Sequence, residues 1–328
     1  MLLFVFFLSA CGKANTNNSQ MLNTEEIEQE TQTQESTETE DVTESQVVET
    51  EQTEVPSETP SETPSEEPSQ PVAPEMESWA SGYYVYDPHN TRGLSNEKKG
   101  YVYGVAANGQ CNAAALNAQK YFDGFGGLKA LAVDTKTTEK VLYLTFSSGY
   151  EYNNNTVKIL DILKEKNVKA AFFGELGYFK DNPHLTKRFI EEGHILGNHT
   201  ATHPDFPTLS RDNMASQVYR VDKYLKDTYG YECRYFRYPG GYYSENSLDL
   251  VAGLGHRVVF WSTAYRDWDK NELRGADYSF ETVTSRLHPG AVIVLHTVNN
   301  DNVEALGAII DYAREQGYVF KTLDDYPW

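Results

Sequence analysis

The chain has 328 residues, with 48 Asp and Glu against 28 Lys and Arg, for a formal net charge of −20. Such acidity excludes a nucleic-acid partner, which needs a basic footprint. It is also local: residues 1–75 hold 17 acidic side chains and one basic one, Lys13, so the remaining 253 residues carry only −4 and suit one large domain.

In chain order, the apolar opening MLLFVFFLSA is far shorter than the roughly 20 residues a bilayer span requires. It reads as the core of a signal peptide over residues 1–11. The run Leu8-Ser9-Ala10-Cys11 resembles the bacterial lipobox, so Cys11 is the expected lipidation site and the anchor to the membrane. Residues 12–75 are built from Glu, Thr, Ser, Gln and Pro, with the crude repeat PSETPSETPSEEPSQP. That composition cannot bury enough apolar area to offset the entropy of ordering, so a disordered acidic linker is expected, extended by its charges and prolines. Together these features predict an extracytoplasmic, lipid-anchored protein facing the cell wall. Cys111 and Cys233 fit a disulfide or two buried thiols equally well.

Residues 76–138 are rich in Tyr and Gly, show little periodicity, and read as an extension packed on the domain that follows. From residue 139 the pattern is regular. Apolar strands are expected at 140–146, 169–174, 194–199, 234–239, 257–261, 291–296 and 318–321. Between them, helical spacing falls at 156–166, 183–192, 211–229, 247–253, 280–287 and 302–316. Short continuous apolar strands alternating with amphipathic helices indicate parallel β/α units. The fold class is therefore α/β, a distorted and partly open (β/α)7-type barrel over 139–328.

In such folds the chemistry sits where strands end. The sequence places His199 and His203 of HTATH at one strand end, four residues apart as two ligands of one divalent metal require. FRYPGG supplies Arg237, Pro239 and Gly240 at the next strand end, FWSTAYRDW supplies Asp267 and Trp268, and VLHT supplies His296. His89, His184, His194, His256 and His288 have no such company. Asp205, after HTATHP, suits the metal or a helix cap.

The set TFSSG, HTATH, RYPGG, Asp267-Trp268 and VLH, in this order, resembles the polysaccharide deacetylases with a NodB-type domain, carbohydrate esterase family 4, from about residue 140 to 328. Within that family the segments FSSGYE, GHILGNHTATHPD and HPGAVIVLHTV look like the δ-lactam-forming muramic acid de-N-acetylases. The resemblance implies a hydrolase of non-peptide carbon–nitrogen bonds acting on N-acetylated peptidoglycan glycan, with a wall amidase as a partner. It implies a divalent metal, Zn²⁺ first and Co²⁺ or Mn²⁺ as alternatives, held by His199 and His203. It further implies that Arg237 orients a catalytic base, that Asp267 orients Arg237 or the histidine, and that His296 protonates the leaving amine. Pro239, Gly240 and Trp268 are expected against substrate.

One departure bears on all of this: the two aspartates of the family's TFDDG are Ser147 and Ser148 here. Ser148 falls at the metal, which it weakens, and Ser147 falls at the base. A hydroxyl accepts no proton near neutral pH, and losing general-base assistance costs about 10²–10⁴ in rate. Glu151, four residues on, or a metal hydroxide acting alone are the candidate replacements. The alternative function is a catalytically impaired relative that still binds cell-wall glycan.

Overall fold

The computed structural model describes residue 85 and residues 87–101 and 104–328. The expected leader, Cys11 and the acidic linker lie outside the described residues.

The elements in chain order are β1 (Lys99–Gly100), α1 (Ala113–Gly124), β2 (Ala130–Leu131), β3 (Val141–Ser148), α2 (Asn155–Glu165), β4 (Ala171–Gly174) and α3 (Leu176–Asp181). They continue with α4 (Pro183–Glu191), β5 (Ile195–Asn198), α5 (Arg211–Tyr229), β6 (Tyr235–Phe236), β7 (Tyr242–Tyr243) and α6 (Glu245–Gly253). The last are β8 (Arg257–Val259), α7 (Ala276–Thr284), β9 (Ala291–His296), α8 (Asn300–Glu315) and β10 (Val319–Lys321). Local chemistry sets the helix ends. Ser210 caps α5 by accepting the Asn213 N–H at 3.3 Å, and Gly230, at φ 67°, closes it in the left-handed conformation. Ser244 and Ser247 form a reciprocal capping box at the start of α6.

β3, β4, β5, β6 and β8 pair in parallel in that order, and β2 adds in parallel to β8. β9 runs parallel to β3 from Leu142–Ala291 to Ser147–His296. Single bridges from Val133 to Ala291 and from Thr263 to Ile293 bring the sheet round to β9. The result is a nearly closed barrel of seven parallel strands, with β10 added along the first half of β3. All seven expected strands are present: β9 has the expected bounds, β3 runs on to Ser148, and the other five are shorter. β2 is an eighth strand of the sheet, contributed by the Tyr- and Gly-rich segment before residue 139. That segment also shares a core with the domain: Tyr101 and Phe122 pack with Phe206, Phe236, Val258 and Phe260.

Strand alternation sorts the remaining apolar residues. Val141, Tyr143, Ala171, Phe173, Ile195, Tyr235, Val259 and Val292 fill the barrel interior, and Leu323 and Tyr326 pack with them. Leu142, Leu144, Phe146, Phe172 and Leu196 face the helices, where Ile159, Leu163, Phe189, Leu306 and Ile310 cover them. This two-sided burial explains why the strands read as continuous apolar runs rather than alternating ones. Cys111 and Cys233 are free, half-buried thiols.

Candidate active site

The register aligns Ser147 with Phe173 and Gly197, and on the other side with His296. These positions mark the C-terminal mouth of the barrel. A Cβ on Gly197 would fall 2.3 Å from the Phe173 ring, so the bare backbone lets that ring lie flat across the interior. Above it sits Arg237, 1% exposed, with its guanidinium carbon 4.1 Å from the Phe173 centroid.

Arg237 donates to the Thr145 hydroxyl at 2.8 Å, to the Val259 carbonyl at 3.2 Å and to the Ser147 hydroxyl at 3.3 Å. None of these acceptors carries a charge, and among the described residues no carboxylate pairs with it. Burial accordingly pulls the guanidinium pKa down to about 9. The turn after it is shaped by glycine. Gly240, at φ 56°, has Tyr242 ring atoms 2.9 Å from where a Cβ would stand, and Gly241, at φ 73°, packs against Trp261. Pro239 is buried beneath this turn and Gly240 is exposed at its tip.

His199 follows β5 and is buried, whereas His203 stands exposed on the rim. Their rings are 5.0 Å apart at 76°. Thr200 and His203 both take positive φ, 71° and 51°, and this tight turn folds the second imidazole back toward the first. The Thr200 hydroxyl accepts the His203 N–H at 3.0 Å and fixes the turn. His199 Nδ1 is 2.9 Å from the Arg237 carbonyl oxygen. A carbonyl only accepts, so Nδ1 carries the proton and Nε2 keeps its lone pair, the arrangement in which an imidazole binds a metal. Burial, reinforced by His203, holds the His199 pKa well below the usual histidine value, so the ring stays neutral. Two neutral imidazoles are donors of the kind that Zn²⁺ or Co²⁺ would take, one fewer than the three protein ligands usual in a catalytic zinc site. Among the described residues no set of three His, Cys, Asp or Glu side chains converges as a ready metal site.

The third cluster is a relay. His296 Nδ1 lies 2.7 Å from Asp267 Oδ1, and its backbone N–H donates to Oδ2 at 2.8 Å. Asn302 Nδ2 donates to the same Oδ2 at 2.6 Å, and Asn302 is itself held by the Tyr265 hydroxyl. Asp267 is 1% exposed. Its carboxylate contacts the histidine and Asn302, and among the described residues no contact joins it to Arg237. Trp268, 43% exposed, sits 6.1 Å from the His296 ring. A positive charge on His296 bears on both His199 and His203, so the relay and the histidine pair share one mouth.

The sequence-derived site residues thus come together around the ends of β3, β5, β6 and β9. Ser148 is fully buried, and its hydroxyl accepts from Thr297 at 3.3 Å. Glu151 is engaged elsewhere: it accepts the Thr156 N–H at 3.2 Å and the Tyr178 hydroxyl at 3.4 Å, at the start of α2. Asp205 pairs with Lys98 at 2.7 Å and makes no side-chain cap. Glu175, unnoticed in the sequence, ends β4 at the mouth, and burial alone raises its carboxyl pKa to about 7. The signal available for it was a charged residue directly after the apolar run AAFFG.

A nearly closed parallel barrel with paired imidazoles, a buried arginine and an Asp–His relay at its mouth is the frame to be set beside known proteins. Residues 134–259 match the polysaccharide deacetylase family, and the chain belongs to that family. It is 43% identical over 190 residues to the peptidoglycan-N-acetylmuramic acid deacetylase PdaA of Bacillus subtilis, a match covering 58% of this chain and 72% of PdaA. The solved structure of Bacillus subtilis PdaA, a family 4 carbohydrate esterase, aligns with a TM-score of 0.67 at 37% identity, over 71% of this chain and 98% of that one. A family 4 pseudoenzyme from Bacillus anthracis aligns with a TM-score of 0.52 at 26% identity, over 58% of this chain and 66% of that one.

Proposed function

We propose that the chain removes acetyl groups from N-acetylated amino sugars of peptidoglycan, muramic acid foremost, in a metal-dependent hydrolysis at the cell surface. The observation that carries this reading is the Asp267–His296 relay opening onto the same mouth as His199, His203 and Arg237. The kinship with PdaA, a peptidoglycan-N-acetylmuramic acid deacetylase, supports the substrate.

His199 and His203 would hold the divalent ion. When bound, it would polarise the acetamide carbonyl and ease deprotonation of water. Arg237, fixed by Thr145, Val259 and the Phe173 ring, keeps a positive charge beneath the reacting centre. Asp267 accepts the Nδ1 proton of His296 and leaves Nε2 to deliver a proton to the departing amine. Trp268 and Tyr150, 43% and 48% exposed, offer flat apolar faces to a pyranose ring. Lys270 lies over the Tyr150 and Tyr152 rings at 5.5 and 5.1 Å, so the loop bearing Trp268 and the loop after β3 meet at the mouth.

The second reading, a glycan binder without turnover, is favoured by Ser147 and Ser148 standing where the family has two aspartates. The full chain, incubated with Zn²⁺ or Co²⁺ and muropeptides, tests both. Release of free amine by the wild type supports the enzyme. Release only by a Ser147→Asp, Ser148→Asp variant would assign the wild type to the binders.

A further inference from the structure

Both carboxylates expected on β3 are missing, yet a carboxylate has entered the mouth from the neighbouring strand. β3, β4 and β5 align Ser148 with Gly174 and Asn198, so the next residues along the three strands are Gly149, Glu175 and His199. Glu175 continues β4 in extended conformation, at φ −76° and ψ 159°, and its N–H donates to the Ser148 carbonyl at 3.3 Å. By strand alternation its side chain follows Ala171 and Phe173 to the interior side. The carboxylate lies over the β3 end: a Cβ on Gly149 would stand 2.7 Å from Glu175 Oε1. The glycine after the two serines therefore leaves room for this group. Among the described residues no hydrogen bond or ion pair holds the Glu175 carboxylate, in contrast to Glu151. A half-buried acid without a partner is a poor structural element, because it bears the desolvation cost with nothing to offset it.

We propose that Glu175 is the catalytic carboxylate of this site, taking the part of the aspartate missing at position 147. The inference rests on the deacetylase reading. In the step, Glu175 accepts one proton of the attacking water while the water oxygen bonds to the acetamide carbon. The carbon–nitrogen bond then breaks, His296 gives its proton to the leaving nitrogen, and the products are acetate and the free amino sugar. No oxidant or co-substrate other than water is consumed.

The test uses the full chain with Zn²⁺ and muropeptides, and compares wild type, Glu175→Gln, Ser147→Asp and the double variant. Glu175→Gln keeps size and shape, and is expected to lower acetate release about 10²–10⁴-fold. Zn²⁺ affinity by calorimetry is expected to fall by no more than the roughly 10–100-fold that an outer-shell partner costs, since the residue serves water rather than metal. Ser147→Asp in the Glu175→Gln background is expected to restore release. Equal activity of Glu175→Gln and wild type overturns the proposal. So does a silent wild type beside an active Ser147→Asp, which leaves the deacetylase fold competent but Glu175 without a role. Silence from both of those proteins overturns the deacetylase reading itself, and the inference with it. A Zn²⁺ affinity reduced more than about 100-fold in Glu175→Gln, beyond what the loss of an outer-shell partner costs, would make the residue a ligand instead of a base.

Discussion

Ser147→Asp should stabilise the fold, although it introduces a charge into a buried site. Arg237 is 1% exposed and its only acceptors are hydroxyls and carbonyls. The drop of its pKa from 12.5 to about 9 corresponds to roughly 5 kcal/mol of uncompensated desolvation. The arginine already bears this cost in the wild type. A carboxylate at position 147, whose present hydroxyl is 3.3 Å from Arg237 Nη1, would form a charge-assisted pair and would add only its own desolvation. The net gain should be about 1–3 kcal/mol at neutral pH. The paired carboxyl would have a lowered pKa, so the gain is present above the ordinary aspartate range and fades as pH falls through the lowered value. Urea denaturation of wild type, Ser147→Asp and the neutral isostere Ser147→Asn measures it. If the aspartate variant is no more stable than the asparagine one, the picture of Arg237 as a buried cation awaiting a partner is wrong.

Other consequences can be checked alongside. Asp267→Asn replaces the acceptor of three N–H groups with an amide and should lower deacetylation by about 100-fold or more, read from acetate release. His199→Ala and His203→Ala should each weaken Zn²⁺ binding by about 10-fold or more, measured by calorimetry. Trp268→Ala should raise KM several-fold with little change in kcat, as removal of a stacking face rather than of a reacting group would do. His194 is buried, accepts the Ala170 N–H at 3.2 Å, and has its pKa pushed from 6.5 to about 4 by burial. The unfolded chain takes up that proton first, so stability is full above pH 6.5 and falls toward pH 4, by up to about 3 kcal/mol. His194→Gln should flatten that part of the stability–pH profile.

Much of the architecture was readable because both faces of each barrel strand are buried, which makes runs such as KVLYLTF and AVIVLH unbroken. Arg237 and His296 were found for a related reason, since polar residues at the ends of such runs stand out, whereas Asp267, in the loop beyond β8, was legible through the family resemblance. β2 escaped because it is two residues, Ala130–Leu131, in a segment without period, and its place comes from pairing with β8 and from the Val133–Ala291 bridge just beyond it. α7 lies over Ala276–Thr284 rather than 280–287. It starts where Asp301 accepts the Arg274 and Gly275 N–H groups, a contact far away in sequence. Glu151 looked able to reach the base position by count alone, but the start of α2 claims it. Glu175 was hidden for the opposite reason, since proximity to Gly149 exists only across β3 and β4.

The most direct measurement is the sugar-by-sugar analysis of muropeptides after incubation with the wild-type chain and Zn²⁺. Free amine on muramic acid, absent when a chelator is present, is the predicted result. Glycan recovered fully acetylated, or free amine on glucosamine alone, would contradict the account.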